Sequence, residues 1–434
     1  MKMLSLLFGQ IIVIASLACG TTSVEGLVET LFGKNSSPTK ISDVGRVSAG
    51  PNGFEISSMG VGTWSWGNRF LFDYDTSQDE SIYEAYREVR NAGVTLFDTA
   101  DSYGTLDLNG RAEILLGTFE RRYLNELGIK SMNDNSNNDD EYSDDNLLSA
   151  TTTTTSTPWW DLIGRGKDVA GTSSQMNNKN YRPQQVATKI APYPWRITPN
   201  SVVRSAEGSL RRLEQNKLSV AQLHWSTVNY QPFQERALWE GICDVYDKGL
   251  CEAVGVSNYG PKQLFAVSEK FREREVPLAV AQVQYSLMTY NANTNSGNGK
   301  DMNEACDDVN CRLISYSPLC LGLLTGKYTL KETNRLPTSP ARQQLFKELL
   351  PGAQGLLDTL EVVAKEYGKS QSQIAINWCM RKGTVPIPGS RTLTQARENL
   401  GATGWSLRPD AVRELENAAS KVTKPMVQNV FQTE

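Results

Sequence analysis

Histidine is nearly absent from this sequence: the 434 residues contain one, His224. A metal centre built on several imidazoles is therefore excluded. The seven cysteines, Cys19, Cys243, Cys251, Cys306, Cys311, Cys320 and Cys379, are odd in number and scattered. No CxxC pair and no Cys/His cluster occurs among them, so the pattern fits neither a disulfide framework nor a zinc site and predicts free buried thiols. Charge of one sign is also missing, because 44 basic residues stand against 48 acidic ones for a net −4. No basic face is implied, and nucleic acid is not an expected partner. The longest apolar run, Leu4 to Leu17, falls short of the ~20 residues that span a bilayer.

What is present starts with a leader. Met1-Lys2 supplies a positive start, the apolar run follows, and Ser16-Leu17-Ala18 offers a small-x-small cleavage pattern. Residues 1–20 read as a signal peptide rather than an anchor, with no stable membrane span after its removal. Free thiols fit poorly with an oxidising secretory route, unless the signal is the first step towards another compartment. Residues 21–43 are Ser/Thr-rich and acid-poor apart from Glu25 and Glu29, which suits a transit or linker segment.

From about Val44 the chain alternates β-branched runs with amphipathic helices, the pattern of βα units. Eight strands are expected, at 59–63, 95–97, 185–189, 220–224, 253–257, 279–283, 312–316 and 384–387. Ser77-Gln-Asp-Glu80 and Thr392-Leu-Thr-Gln395 read as capping boxes, and Thr198-Pro199 as an N-cap followed by a first-turn proline. Eight such units close into a (β/α)8 TIM barrel with its active site at the strand C-termini. The alternative, a doubly wound open sheet, wants a phosphate-binding GxGxxG turn, and Gly60-Val-Gly62-Thr-Trp64-Ser-Trp66-Gly67 lacks that spacing. With 39% hydrophobic residues the chain has material for a sizeable core. Between the second helix and third strand, residues 130–181 carry an Asn/Asp run and a threonine run, and are expected to form a disordered surface insertion in which Trp159-Trp160 could dock. The barrel is assigned to 44–424 and a C-terminal tail to 425–434.

Chemistry concentrates at three strand ends. Asp98 closes the second strand and Tyr103 follows in its loop, Lys189 ends the third, and Leu223-His224-Trp225 ends the fourth. Neighbouring barrel strands bring these side chains over one mouth. A tyrosine titrating near ~10 exchanges protons poorly at neutral pH. A nearby Lys189 ammonium, held by Asp98, would lower that value and let Tyr103 act as general acid. His224 would hydrogen-bond the substrate oxygen and steady its developing charge. None of these groups supplies a hydride, so a reduced cofactor must.

Taken with further motifs, this constellation resembles the aldo-keto reductase superfamily. The resemblance runs through Phe97–Gly104, Lys189, Leu223-His224-Trp225, Gly255-Val-Ser-Asn258-Tyr, Gln282-Val-Gln-Tyr285, Tyr316-Ser-Pro318, Gly322-Leu-Leu-Thr-Gly-Lys-Tyr328 and Ile387-Pro-Gly-Ser-Arg391. Thr63-Trp-Ser-Trp-Gly67, Gly404-Trp-Ser-Leu407 and the tail at Lys424-Pro425 are most similar to plant chloroplast members, which implies a plastid destination, with the secretory pathway as the alternative. The resemblance implies NADPH-dependent reduction of a small-molecule aldehyde or ketone by a tetrad of Asp98, Tyr103, Lys189 and His224. It assigns Ser257, Asn258 and Gln282 to the nicotinamide carboxamide and Tyr316, followed by Ser317, to the nicotinamide face. Leu319, Leu321, Thr325 and Lys327 fall in the stretch that covers the pyrophosphate. Gly389, Ser390, Arg391, Gln395, Glu398 and Asn399 fall on the adenosine site, with Arg391 a suitable partner for a 2′-phosphate.

The plainer readings stand beside these. Trp64 and Trp66 would ordinarily be packing residues, and the resemblance instead places them, with Trp225, around the substrate pocket. Arg111 and Glu113 read as helix-opening residues, and Cys320 as a buried thiol rather than a redox sensor. Ser226 replaces the proline usual after His-Trp, so substrate choice does not transfer. The other function class is an NADP(H)-binding regulatory subunit resembling potassium-channel β subunits.

Overall fold

The computed structural model describes residues 44–51, 53–129, 181–289, 301–328, 336–426 and 429–433. The expected signal peptide, the transit segment and all of the insertion but Tyr181 lie outside the described residues, as do Cys19 and Trp159-Trp160. Tyr181, the last residue of that stretch, donates its hydroxyl to Glu120 at 2.9 Å.

Two short antiparallel strands, β1 (Arg46–Ser48) and β2 (Glu55–Ser57), precede the barrel. Eight parallel strands follow: β3 (Val61–Gly62), β4 (Leu96–Ala100), β5 (Gln185–Ile190), β6 (Leu218–Leu223), β7 (Cys251–Ser257), β8 (Leu278–Gln284), β9 (Arg312–Tyr316) and β10 (Val385–Ile387). Each expected strand coincides with one of these. Every strand pairs with the next in sequence, and the ring closes where Gly60 N donates to Pro386 O (3.0 Å) and Gly62 N to Pro388 O (3.3 Å). The seam is tight: a Cβ on Gly62 would stand 2.9 Å from Ile387 O, so glycine is required there. Eight strands with these parallel registers are the (β/α)8 barrel.

The barrel interior is filled by one side chain from most strands, including Leu96, Ala187, Val220, Ala253, Val280, Ile314 and Val385. Ala49 and Ile56 of the β1–β2 hairpin complete this cluster and plug its base. The hairpin was not anticipated; its strands of three residues carry too short a pattern to read.

Eleven described helices surround the sheet: α1 (Arg69–Phe72), α2 (Asp79–Asn91), α3 (Arg111–Glu126), α4 (Pro199–Leu213), α5 (Pro232–Asp247), α6 (Pro261–Glu273), α7 (Met302–Asp308), α8 (Pro340–Tyr367), α9 (Gln371–Arg381), α10 (Leu393–Leu400) and α11 (Pro409–Ser420). Their apolar stripes build the outer core against the strands. Helix α4 starts at the expected place, with Thr198 extended at the cap position and Pro199 in the first turn, though the Thr198 side chain makes no capping bond. The start of α2 differs. Ser77 makes no cap there; instead Asp75 accepts from Ser77 N and opens a 3₁₀ turn, Thr76–Gln78, that runs into the helix. At α10 only half of the box forms: Thr392 accepts from Gln395 N, but the Gln395 side chain accepts from Arg391 N at 2.9 Å. A complete box caps α9, from Ser370 and Gln373. The six described cysteines are free and buried.

Candidate active site

A cleft of about 650 Å³ opens at the strand C-termini, with Asp98, Tyr103, Lys189 and His224 in its wall. Strand β4 runs on to Ala100, so Asp98 sits mid-strand and deeper than a strand end. Asp98 and Lys189 are both nearly sealed from solvent. The Lys189 ammonium donates to both Asp98 oxygens at 2.6 Å and to Thr99 O at 2.8 Å, so its three protons are committed. Gln282 adds a donor to Asp98 at 2.7 Å. A charge pair buried this deeply is tolerable only when so fully hydrogen-bonded.

Tyr103 follows β4 in a turn where Tyr103 N bonds Ala100 O (3.1 Å) and Asp101 N bonds Lys189 O (2.9 Å). Gly104 takes φ +129°, and a Cβ there would overlap Leu108 O, so the turn that presents Tyr103 needs this glycine. The Lys189 ammonium lies 4.9 Å from the centre of the Tyr103 ring. Tyr103 nevertheless binds its proton more tightly than an ordinary tyrosine, first because it is buried and then because Asp98 carries negative charge. Burial and Asp98 thus outweigh the lowering expected from Lys189. Burial, partly offset by Asp98, also pulls Lys189 down from its usual range.

His224 directly follows β6 and meets the edge of Tyr103, ring centres 5.7 Å apart. Burial and then the nearby Lys189 charge hold its imidazole neutral. Its Nδ1 lies 3.4 Å from Ser102 Oγ, and its carbonyl accepts from Asn258 Nδ2 at 2.9 Å. Tyr316 in turn donates to Asn258 Oδ1 at 2.8 Å.

All the anticipated cofactor residues line the cleft except Ser390. Ser390 is buried: its hydroxyl accepts from Asn399 Nδ2 and its carbonyl from Trp66 Nε1, each at 3.0 Å. That second bond shows why Trp66 is a core residue and not a pocket wall; it is fully buried and packs against Phe119. Trp64 and Trp225 do line the cleft, with Trp64 edge-on to Phe72 at 5.5 Å. Arg111 pairs with Asp79 and Glu113 with Arg212, both outside the chemistry.

The half of the cleft away from the tetrad suits a phosphorylated nucleotide. After β9, Ser317, Cys320 and Leu321 adopt left-handed backbone at φ 51–55° and Gly322 at 101°. Such clustered strain in non-glycine residues marks functional loops. Arg391 donates to Phe72 O at 2.5 Å and is pulled down in basicity by burial and by Arg342, whose guanidinium donates to Leu321 O at 2.8 Å. Two arginines kept beside one another in one cleft favour an anion between them. The first turn of α10 contributes Thr394 to the same wall, where helix N–H groups also favour phosphate. Gln395 and Asn399 brace the loop after β10 through Arg391 N and Gly389 O, while Glu398 accepts from Ser370.

Arg342 and the C-terminal tail are among the contributors that sequence reasoning missed. Arg342 lies in α8, with no strand end or turn beside it to mark it. The tail, set outside the barrel, reaches the mouth: Phe431 stacks on Trp225 at 4.4 Å, Thr433 N donates to Asn258 O at 3.2 Å, and Asn429 joins the cleft wall beside Tyr316.

The aldo/keto reductase family model matches residues 58–140 and 167–420. The chain is 42% identical over 391 residues to a chloroplastic pyridoxal reductase of Arabidopsis thaliana, covering 89% of each. Among solved structures, the glycerol dehydrogenase of Gluconobacter oxydans superposes with a TM-score of 0.60 at 21% identity, over 90% of this chain and 99% of that one. An aldo-keto reductase solved in complex with NADPH gives 0.55 at 20% identity, over 87% and 88%.

Proposed function

Because the chain belongs to the aldo/keto reductase family, we propose that it is an oxidoreductase that uses NADPH to reduce an aldehyde, pyridoxal foremost, to the alcohol. The observation that carries this reading is the convergence of Tyr103, His224 and the Lys189–Asp98 pair at one end of a cleft whose other end suits phosphate groups. Pyridoxal enters through the Arabidopsis relative, and aromatic walls at Trp64 and Trp225 accept a flat ring. NADPH, when bound, supplies the hydride. Tyr103 gives its phenolic proton to the carbonyl oxygen, which becomes the alcohol hydroxyl. His224 orients that oxygen, and Asp98 pins Lys189 so that the ammonium stays under the tyrosine ring.

The test is multiple-turnover oxidation of NADPH by the purified protein with pyridoxal and a panel of aliphatic and aromatic aldehydes. Stoichiometric formation of the alcohol supports the reading. Tight NADPH binding with one slow turnover would instead favour a regulatory subunit.

Arg391 and Arg342 support NADPH over NADH. Removing a charge-assisted contact to the 2′-phosphate costs ~1.5–3 kcal/mol, or about 10- to 100-fold in affinity. Arg391→Ala should therefore raise the Kd for NADPH by that factor in a titration and leave NADH nearly unaffected. An equal loss for both nucleotides would refute the assignment.

A plastid destination rests on the relative's name and the signal-like start. Residues 1–45 fused to a fluorescent protein should carry it into plastids of an alga whose plastids are reached through the secretory system. Export to the medium would refute it.

A further inference from the structure

The reduction leaves one part of the site unexplained: what fixes the proton on His224. A neutral imidazole carries one N–H, and the two tautomers do opposite things to a carbonyl. With the proton on Nε2 the ring donates to the substrate oxygen. With it on Nδ1, the Nε2 lone pair faces the oxygen lone pairs and repels them. Burial and the Lys189 charge keep this ring neutral, so the choice of tautomer is real.

Ser102 stands at the deciding atom. Its Oγ lies 3.4 Å from Nδ1, which leaves Nε2 as the nitrogen available to a substrate. The serine is held in place by the turn between Asp101 and Tyr103, whose backbone amides bond Lys189 O and Ala100 O. Asp101, in the same turn, is held by Ala191 N at 3.1 Å and Arg196 at 2.6 Å. A serine hydroxyl can donate or accept, and the Nε2–H tautomer is the one in which its proton goes to Nδ1. The contact is long for a hydrogen bond, and it strengthens when a substrate oxygen polarises the opposite edge of the ring.

We propose that Ser102 is a positioning residue that donates to His224 Nδ1 and thereby holds the imidazole as the Nε2–H tautomer required to polarise the carbonyl. The proposal rests on the carbonyl-reductase reading for its catalytic consequence, though not for the tautomer itself.

The chain contains a single histidine, which makes the test direct. Tag-free protein labelled with ¹⁵N-histidine has one imidazole pair, and a long-range proton–nitrogen spectrum reports which nitrogen carries hydrogen. The expected result is a protonated Nε2 and a pyridine-like Nδ1 at neutral pH. Ser102→Ala should shift the Nδ1 resonance and lower kcat about tenfold, the effect of one lost hydrogen bond, while the KM for NADPH stays within about twofold. Ser102→Thr, which keeps the hydroxyl, should restore both. Hydrogen on Nδ1 in the native protein would overturn the proposal, as would nitrogen resonances unmoved in Ser102→Ala, whatever its activity. The spectrum needs no substrate, so a protein that reduces no carbonyl still reports its tautomer, and the two readings fail separately.

Discussion

Tyr103→Phe is expected to lower kcat for aldehyde reduction by ~10²–10⁴-fold and leave NADPH affinity within about twofold. The change removes one oxygen from the cleft wall and keeps the ring that packs beside His224 and over Lys189. No neighbour can replace the lost acid. The Lys189 protons are spent on Asp98 and Thr99, and His224 is held neutral by burial. The same geometry sets the pH profile. Reduction needs the phenol protonated, and burial with Asp98 raises its pKa above the ordinary ~10, so the active form persists throughout the neutral and mildly basic range. The His224 pKa is lowered, so its neutral form persists as pH falls through ~6.5. The kcat for reduction should thus be flat from about pH 6.5 to 10. A basic limb near pH 8 would show that Lys189 does depress Tyr103 after all. Steady-state kinetics across that range, with nucleotide titration of the variant, decides both points.

Lys189→Met should be the most damaging change to the fold. It leaves the Asp98 carboxylate buried with only the amide donors Gln282 at 2.7 Å and Gln222 at 3.5 Å. Breaking a buried ion pair on one side typically costs ~3–5 kcal/mol, because the remaining charge has lost its solvation and its partner. The double variant Lys189→Met with Asp98→Asn should recover most of that loss, since no charge is stranded. Denaturant unfolding of the single and double variants measures this directly. A single variant within about 1 kcal/mol of the native protein would mean that water or a shifted pKa relieves Asp98.

The missed and corrected residues share one cause. Trp66 and Ser390 sit in motifs that also contain cleft residues, Trp64 and Arg391, and nothing local says which side chain turns inward. Their mutual bond joins positions 324 apart in sequence. Phe431 and Arg342 approach the cleft from segments with no strand end of their own, and the cap of α2 lies at Asp75 because a 3₁₀ turn precedes the helix. The expected lowering of the Tyr103 pKa failed for a related reason. An ammonium in the sequence does not reveal how deeply the tyrosine beside it is buried, and burial is the larger cause.

The sequence alone determined the eight strands, their order and the meeting of Asp98, Tyr103, Lys189 and His224, because alternation along a strand is local and successive barrel strands are neighbours. It also determined, through its single histidine, that the site has one imidazole to use. Only the tertiary structure decided that Trp66 is core, that the tail closes on Trp225, and that Tyr103 holds its proton more tightly instead of less. Packing direction and desolvation depend on everything surrounding a side chain, and those surroundings come from parts of the chain that no local pattern connects.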